Sequence, residues 1–370
     1  MKHATSFQLL ALVAVCAATL ASSVPAPSTP PGGGSIVAGA PMSAPRSGHT
    51  ATLLPNGKVL IAGGMRRNQD FYRSAELFDP GTGTFHTTGE MLMARVGHAA
   101  VLLQTGKVLI AGGWIGQGPT DEAELYDPAT GKFTAIAPMA VKRGRPEATL
   151  LRNGNVLITG GADGGGAGSN IVSAEIFDAA TLKFRPTGVM HHARVEHTAT
   201  LLQDGRVLIS GGRGSEVTAD AEVYDPDGGK FTETGWMHTP RYKHTAGLLP
   251  DGRVLIAGGS DERDWNGTLS SAEIYDPHTG KFSPTSSLND ARFKLPPAVQ
   301  LRSGQLLVAG GNPHAELYDG RAGKFTLVAG ETADARHFMT ETLLNDGRVL
   351  LAGGYAHTPE ATAQTWIYRP

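Results

Sequence analysis

The sequence predicts an all-β fold: a seven-bladed β-propeller with four antiparallel strands per blade, closed by a strand from the N-terminal side. Three observations carry this reading. The segment "HTATLLPNGKVLIAGG" at His49 returns, slightly altered, at His98, His197 and His244. Gly-Gly pairs fall at 63–64, 112–113, 160–161, 211–212, 258–259, 310–311 and 353–354, a spacing of 43 to 52 residues. Segments of the "AELYDP" kind start at Ala75, Ala123, Ala174, Ala221, Ala272 and Ala315. Repetition at such a period marks one supersecondary unit stacked on copies of itself.

In chain order, residues 1–21 read as a signal peptide, with Lys2 and His3 ahead of an apolar run at 9–20 and small residues around Ala21. Export to the periplasm or the outside follows, with a lipoprotein anchored at Cys16 as the alternative. No other apolar run is long enough to span a bilayer. Residues 22–34, "SSVPAPSTPPGGG", read as a linker. The propeller then occupies 35–370.

Within each unit, "HTATLL" is an innermost strand. The Asn-Gly, Asp-Gly, Thr-Gly or Ser-Gly that follows predicts a tight hairpin with positive φ at both central residues. "VLIAGG" is apolar without alternation, so both faces of that second strand are expected to be buried. In "YDPATGKF" the Pro and Gly suit a turn between third and fourth strands. The last unit stops at "WIYRP", a third strand, and "SIVAGAPM" at 35–42 is left over before the first unit. The N-terminal strand is therefore expected to complete blade seven as its outer edge.

The double Gly, the Tyr-Asp-Pro and the aromatic of the fourth strand resemble the kelch repeat, of the superfamily that includes galactose oxidase, over about residues 36–370. Phe85, Phe133, Phe184, Phe231, Phe282 and Phe325 stand where many kelch repeats have Trp, one core aromatic for another.

Composition bounds function. With 32 Lys and Arg against 34 Asp and Glu, the chain lacks the basic surplus that nucleic acid selects. Its one cysteine, Cys16, lies in the leader, which excludes disulfides, Cys-ligated metals and cysteine nucleophiles from the mature chain. The copper-radical chemistry of galactose oxidase uses a Cys–Tyr crosslink, so this side of the resemblance does not carry over. No cofactor, no metal and no catalytic dyad are expected.

Each unit opens with an Arg: Arg46, Arg95, Arg143, Arg194, Arg241, Arg292 and Arg336. Seven of them are expected to ring one mouth of the channel. Most are matched by Glu76, Glu124, Glu175, Glu222, Glu273 and Glu316 in bidentate pairs, and the remainder would bind an anion. The resemblance implies as much, since kelch adaptors hold acidic peptides with Arg near this position. Arg336 leads, with Trp366 in place of the Glu; Arg292 and Arg143 follow. The repeated His read as hydrogen-bonded structural groups spread over separate blades. Loops between second and third strands vary most and are expected on the Arg face, bringing Tyr72, Trp114, Trp265 and Tyr355 near the mouth as sugar- or peptide-binding aromatics.

The expected function is a monomeric, secreted, non-catalytic binding propeller for an anionic, carbohydrate, peptide or protein ligand. The alternative, implied by the resemblance, is an enzyme acting on carbohydrate, similar to a sialic-acid mutarotase.

Overall fold

Each repeat folds as its turn chemistry dictates. A computed structural model describes residues 33–165, 169–358 and 360–370; the leader, Cys16 and most of the linker lie outside the described residues. Blade one runs Thr50–Leu53, Val59–Ala62, Ala75–Asp79 and Thr84–Thr87, hydrogen-bonded in that order. Seven such four-stranded antiparallel sheets follow one another, and no element of the described residues is a helix longer than the 3-10 turn Asp264–Gly267.

The first hairpin turns differ from expectation. Only the glycine has positive φ, from +81° at Gly57 to +94° at Gly205, and the preceding Asn56 or Asp204 does not. The Gly57 N–H donates to Leu54 O, and the Leu54 N–H donates to Lys58 O. This is a three-residue loop, a type I turn followed by a left-handed glycine, rather than a two-residue type I′ turn. Pro55, Asn56 and Gly57 all belong to the loop, one residue more than the dipeptide signal suggests.

The second strands are buried on both faces: Val59, Leu60, Ile61 and Ala62 are at most 1% exposed. The core forms between blades. Leu60 and Ala62 of blade one pack with Val108, Ile110, Tyr126 and Phe133 of blade two. Burying each such side chain stabilises by about 1.5–3 kcal/mol. The substituted Phe does the work of the usual Trp, Phe133 lying 4.8 Å from Tyr126 in a tilted stack. Between blades, Tyr126 Oη is 2.9 Å from Thr88 Oγ1. The double glycine has its own reason. Gly63 and Gly64 sit at φ +63° and +90°, and a Cβ at Gly63 would lie 2.7 Å from Arg95 O of the next blade.

Blade seven consists of Thr340–Leu343, Val349–Ala352 and Thr365–Arg369, with Ser35–Ala38 as its outer strand. Ile36 faces Tyr368 and Ala38 faces Trp366, so the N-terminal strand closes the ring as expected. Blade six departs from the pattern. Pro296 and Pro297 cut its innermost strand to Val299–Gln300, and Oε1 of Glu341 in blade seven accepts the Ala309 N–H at 2.7 Å.

Candidate functional site

The arginines do not line the mouth. Arg46, Arg95, Arg143, Arg194, Arg241 and Arg292 are all 0% exposed. Each meets the glutamate of its own blade at 2.6 to 3.3 Å. Arg143 Nη1 also donates to the carbonyls of Gly160 and Ser173. Arg143 and Arg292 are thus fully buried with their Nη groups bonded inside the blade, out of reach of a ligand at the mouth, which corrects their selection as ligand-binding candidates. Arg336 is 9% exposed. Its guanidinium lies over Trp366 at 5.5 Å and reaches the exposed Asp334 at 3.3 Å. The histidines are structural: His49 Nε2 lies 3.1 Å from Thr340 Oγ1 and His98 Nε2 2.9 Å from Thr50 Oγ1, each tying one blade to the previous one. Burial holds their pKa far below the usual value, to about 3 for His49, so they stay neutral.

The residues that do encircle the axis stand two positions after each arginine: Gly48, Gly97, Arg145, Glu196, Lys243, Lys294 and Phe338. All seven are left-handed, with φ between +52° and +59°. Their backbones join blade to blade. The N–H of Gly97 donates to Gly48 O, Arg145 to Gly97, Lys243 to Glu196, Lys294 to Lys243, Phe338 to Lys294 and Gly48 to Phe338. Five side-chain-bearing residues in a conformation costing about 1–2 kcal/mol each is a strain that clusters at functional sites. Below them lies a cavity of about 440 Å3, lined by the innermost strands together with Arg145, Glu196 and Phe338. Burial raises the carboxyls of Glu147 and Glu341 in this channel to about 8, so near neutrality they are largely uncharged.

At the mouth the charges pair off, with one exception. Arg145 contacts Glu196 and stacks over the Phe338 ring at 4.1 Å, lying close over Gly97, where a Cβ would meet its Cγ at 2.8 Å. Lys243 Nζ meets Asp264 Oδ1 at 2.9 Å. Burial works against the Asp264 charge, but hydrogen bonds from Lys243 and Tyr242 outweigh it and leave its pKa below the usual value. Lys294 is 5% exposed and has no carboxylate within ion-pair distance among the described residues. Its Nζ lies 3.9 Å from the Trp265 ring centre, 4.7 Å from Phe293 and 5.5 Å from Tyr355, whose hydroxyl accepts its hydrogen bond at 3.0 Å. Burial first, then the charge of Lys243, lowers its pKa to about 8. His337 completes the cluster, edge-on to Trp265 at 4.7 Å; burial lowers its pKa to about 4.

Of the four loop aromatics expected at this face, Trp265 and Tyr355 meet in this cluster. The other two do not join it. Tyr72 lies 5.0 Å from the Arg46 guanidinium, and Trp114 fills the space left by Gly144 of blade three, where a Cβ would sit 2.4 Å from its ring. The loops do leave from the arginine side: in six of the seven blades the residue after the double Gly bridges the residue after the arginine, as Trp114 does Val96 and Tyr355 does His337. Sequence reasoning missed Lys294, Lys243 and Arg145. Their signal was present, because the residue two after the invariant arginine changes chemistry from blade to blade, from Gly48 and Gly97 to Arg145, Glu196, Lys243, Lys294 and Phe338.

Comparison with known proteins agrees with this architecture. The Kelch motif matches residues 94–140 and 241–289. No curated protein matches the chain. Among solved structures, a fungal alcohol oxidase described as having catalytic diversity among the AA5 family, in complex with copper, superposes with a TM-score of 0.74 at 17% identity, over 91% of this chain and 76% of that one. At that identity the likeness is one of fold. Copper does not fit the residues here. No three His, Cys, Asp or Glu side chains converge among the described residues. His337, which with His357 flanks Trp265 at the mouth, is 3.3 Å from Phe293 O through Nδ1 and sits near Lys243 and Lys294, which repel a cation. Two matched motifs and seven four-stranded blades closed into a ring make this chain a kelch-repeat β-propeller.

Proposed function

We propose that the protein is a non-catalytic binding propeller whose loop-face mouth takes a small ligand bearing a carboxylate, such as a sugar acid or an acidic peptide end. One observation carries the reading: Lys294 is a nearly buried ammonium with aromatic walls and no carboxylate partner among the described residues. An unpaired buried charge costs several kcal/mol, and retaining it is best explained by an anion that arrives from solution. Trp265, 39% exposed, offers a ring for an apolar or sugar face beside that charge. The basic and apolar leader would deliver such a module outside the cytoplasm.

The test is a titration of a panel of small carboxylates, with tryptophan fluorescence as readout, on the wild type and Lys294→Met. The ammonium contact is worth about 1.5–3 kcal/mol, so the variant is expected to bind at least tenfold more weakly while melting as a folded protein. Equal affinity in both proteins would move the site elsewhere.

A further inference from the structure

The mouth has one property beyond its charge: its amine is enclosed. Attracting an anion does not by itself require a lysine with a readily lost proton. Lys294 Nζ is enclosed by Trp265, Phe293, Phe338 and Tyr355, with ring centres 3.9 to 5.8 Å away, and one of its three N–H groups is taken by the Tyr355 hydroxyl. The other two have no acceptor among the described residues. Lys243 stands one blade away, its backbone bonded to that of Lys294, and adds a second positive charge. Desolvation and a neighbouring cation are the two ways by which proteins make a lysine amine nucleophilic.

We propose that Lys294 captures its ligand covalently and reversibly, its amine condensing with the aldehyde or ketone carbonyl of a small carbonyl-bearing carboxylate. This rests on the carboxylate reading above and extends it to the chemistry of the bond. The neutral amine attacks the carbonyl carbon; a C–N bond forms and the C=O π pair moves to oxygen, which is protonated. The C–O bond of the resulting carbinolamine then breaks, and the oxygen leaves as water while the nitrogen lone pair closes the C=N bond. Counted from the ammonium, the sum is ammonium plus carbonyl to iminium plus water, with no net change of charge and no oxidant or reductant. The Tyr355 hydroxyl, 3.0 Å from Nζ and kept protonated by burial, is placed to carry the protons. The iminium keeps a positive charge under the Trp265 ring, which suits it as it suits the ammonium.

The charged groups facing Nζ are Lys243 and Arg145, which lower its proton affinity, and Asp264 and Glu196, which raise it; burial dominates and leaves a pKa of about 8. Against an ordinary lysine near 10.4, this places a few hundred-fold larger share of the amine in its reactive form at pH 7, roughly.

The experiment uses the full folded chain, glyoxylate as the carbonyl-bearing carboxylate, acetate as its carbonyl-free counterpart, and cyanoborohydride to reduce any iminium to a stable secondary amine. Peptide mass mapping locates the adduct. Expected is an adduct on Lys294 formed at least tenfold faster than on any other lysine, with a rate that rises as pH goes from 6 to 9. In Lys294→Arg, which keeps a cation but no condensing amine, that adduct is absent while the slower adducts on the other lysines are unchanged. Adducts spread evenly over the lysines, or an unchanged total in Lys294→Arg, would overturn covalent capture. If acetate binds the wild type and Lys294 stays unmodified, covalent capture fails and the binding reading stands. If neither acetate nor glyoxylate engages the mouth, both fail together.

Discussion

Lys294 Nζ lies 3.0 Å from Tyr355 Oη, a contact made by blade six to the loop of blade seven across 61 positions of sequence. The partner is a phenol, held neutral by burial, so the bond satisfies one donor of the ammonium and balances none of its charge. Every other cation at the mouth faces a carboxylate. This asymmetry is what separates a site from a repeat.

The unbalanced charge has a cost that pH should reveal. Lys294 has a folded pKa of about 8 against an ordinary value of 10.5, so the folded state binds fewer protons than the unfolded state between these values. Its favourable contribution is complete above about 10.5 and is lost as pH falls through about 8. Wild type is therefore expected to gain stability relative to Lys294→Met as pH rises from 7 to 10.5, by on the order of 1–3 kcal/mol. Chemical denaturation of both proteins across that range measures it; a constant difference would mean the ammonium is not desolvated.

The ring of left-handed residues gives a backbone test. Glu196 sits at φ +56°, where a Cβ is disfavoured and glycine is not. Glu196→Ala and Glu196→Gly both lose the contact to Arg145, so their difference isolates the strain. Glycine is expected to be the more stable of the two by roughly 0.5–1 kcal/mol, its greater unfolded entropy offsetting part of the relief. At an ordinary surface strand position the order would be reversed, and finding that order here would remove the strain argument.

The buried arginines and Arg336 should separate cleanly. Arg143→Ala strands Glu175, 2% exposed, without its cation, and breaking such a buried pair costs about 3–5 kcal/mol. Arg336→Ala leaves only Asp334, whose side chain is 65% exposed and finds water at once. Its cost is expected to be about 1–2 kcal/mol, the packing on Trp366 being most of it. Thermal melts of the two variants decide this, and equal losses would place Arg336 in the same load path as the other six.

What the sequence made legible follows from what repetition averages. Gly63-Gly64, the Tyr126–Phe133 pair and the Arg95–Glu124 bridge recur in most blades, and each is a structural solution that every blade needs. The same logic hid the site. Arg143 and Arg292 drew attention because they are charged and repeated, yet a residue required in every blade is by that token a residue of the scaffold. Lys294, Lys243 and Arg145 are hidden in the sequence because each stands two positions from a repeated arginine and, read locally, adds one more cation to that segment. Only closure of the ring brings their positions to one axis, and only the left-handed backbone turns their side chains onto the mouth. The hairpin turns erred by one residue for a related reason. Asn-Gly announces positive φ, but the hydrogen bond from Leu54 N to Lys58 O shows that Pro55 belongs to the loop as well.

Closure itself supplies the last expectation. Ser35–Ala38 pairs residue for residue with Arg369 to Trp366, and beyond the strand the N–H groups of Gly39 and Met42 donate to Thr365 O and Ala363 O. On its other side Ile36 N donates to Ala329 O at 2.7 Å, so the strand also holds blade six against blade seven. Met42 is 4% exposed in the cluster where blades one and seven meet, beside Val59, Ile61, Leu350 and Ile367. Deleting residues 35–42 thus removes an outer strand and part of the seam between first and last blades, and it exposes the edge of Thr365–Arg369 to other chains. The deletion is expected to lower the melting temperature by about 10 °C or more and to produce concentration-dependent aggregation. Calorimetry and light scattering on the deleted chain test both halves: a melt that coincides with the intact protein would mean the ring holds without its N-terminal strand.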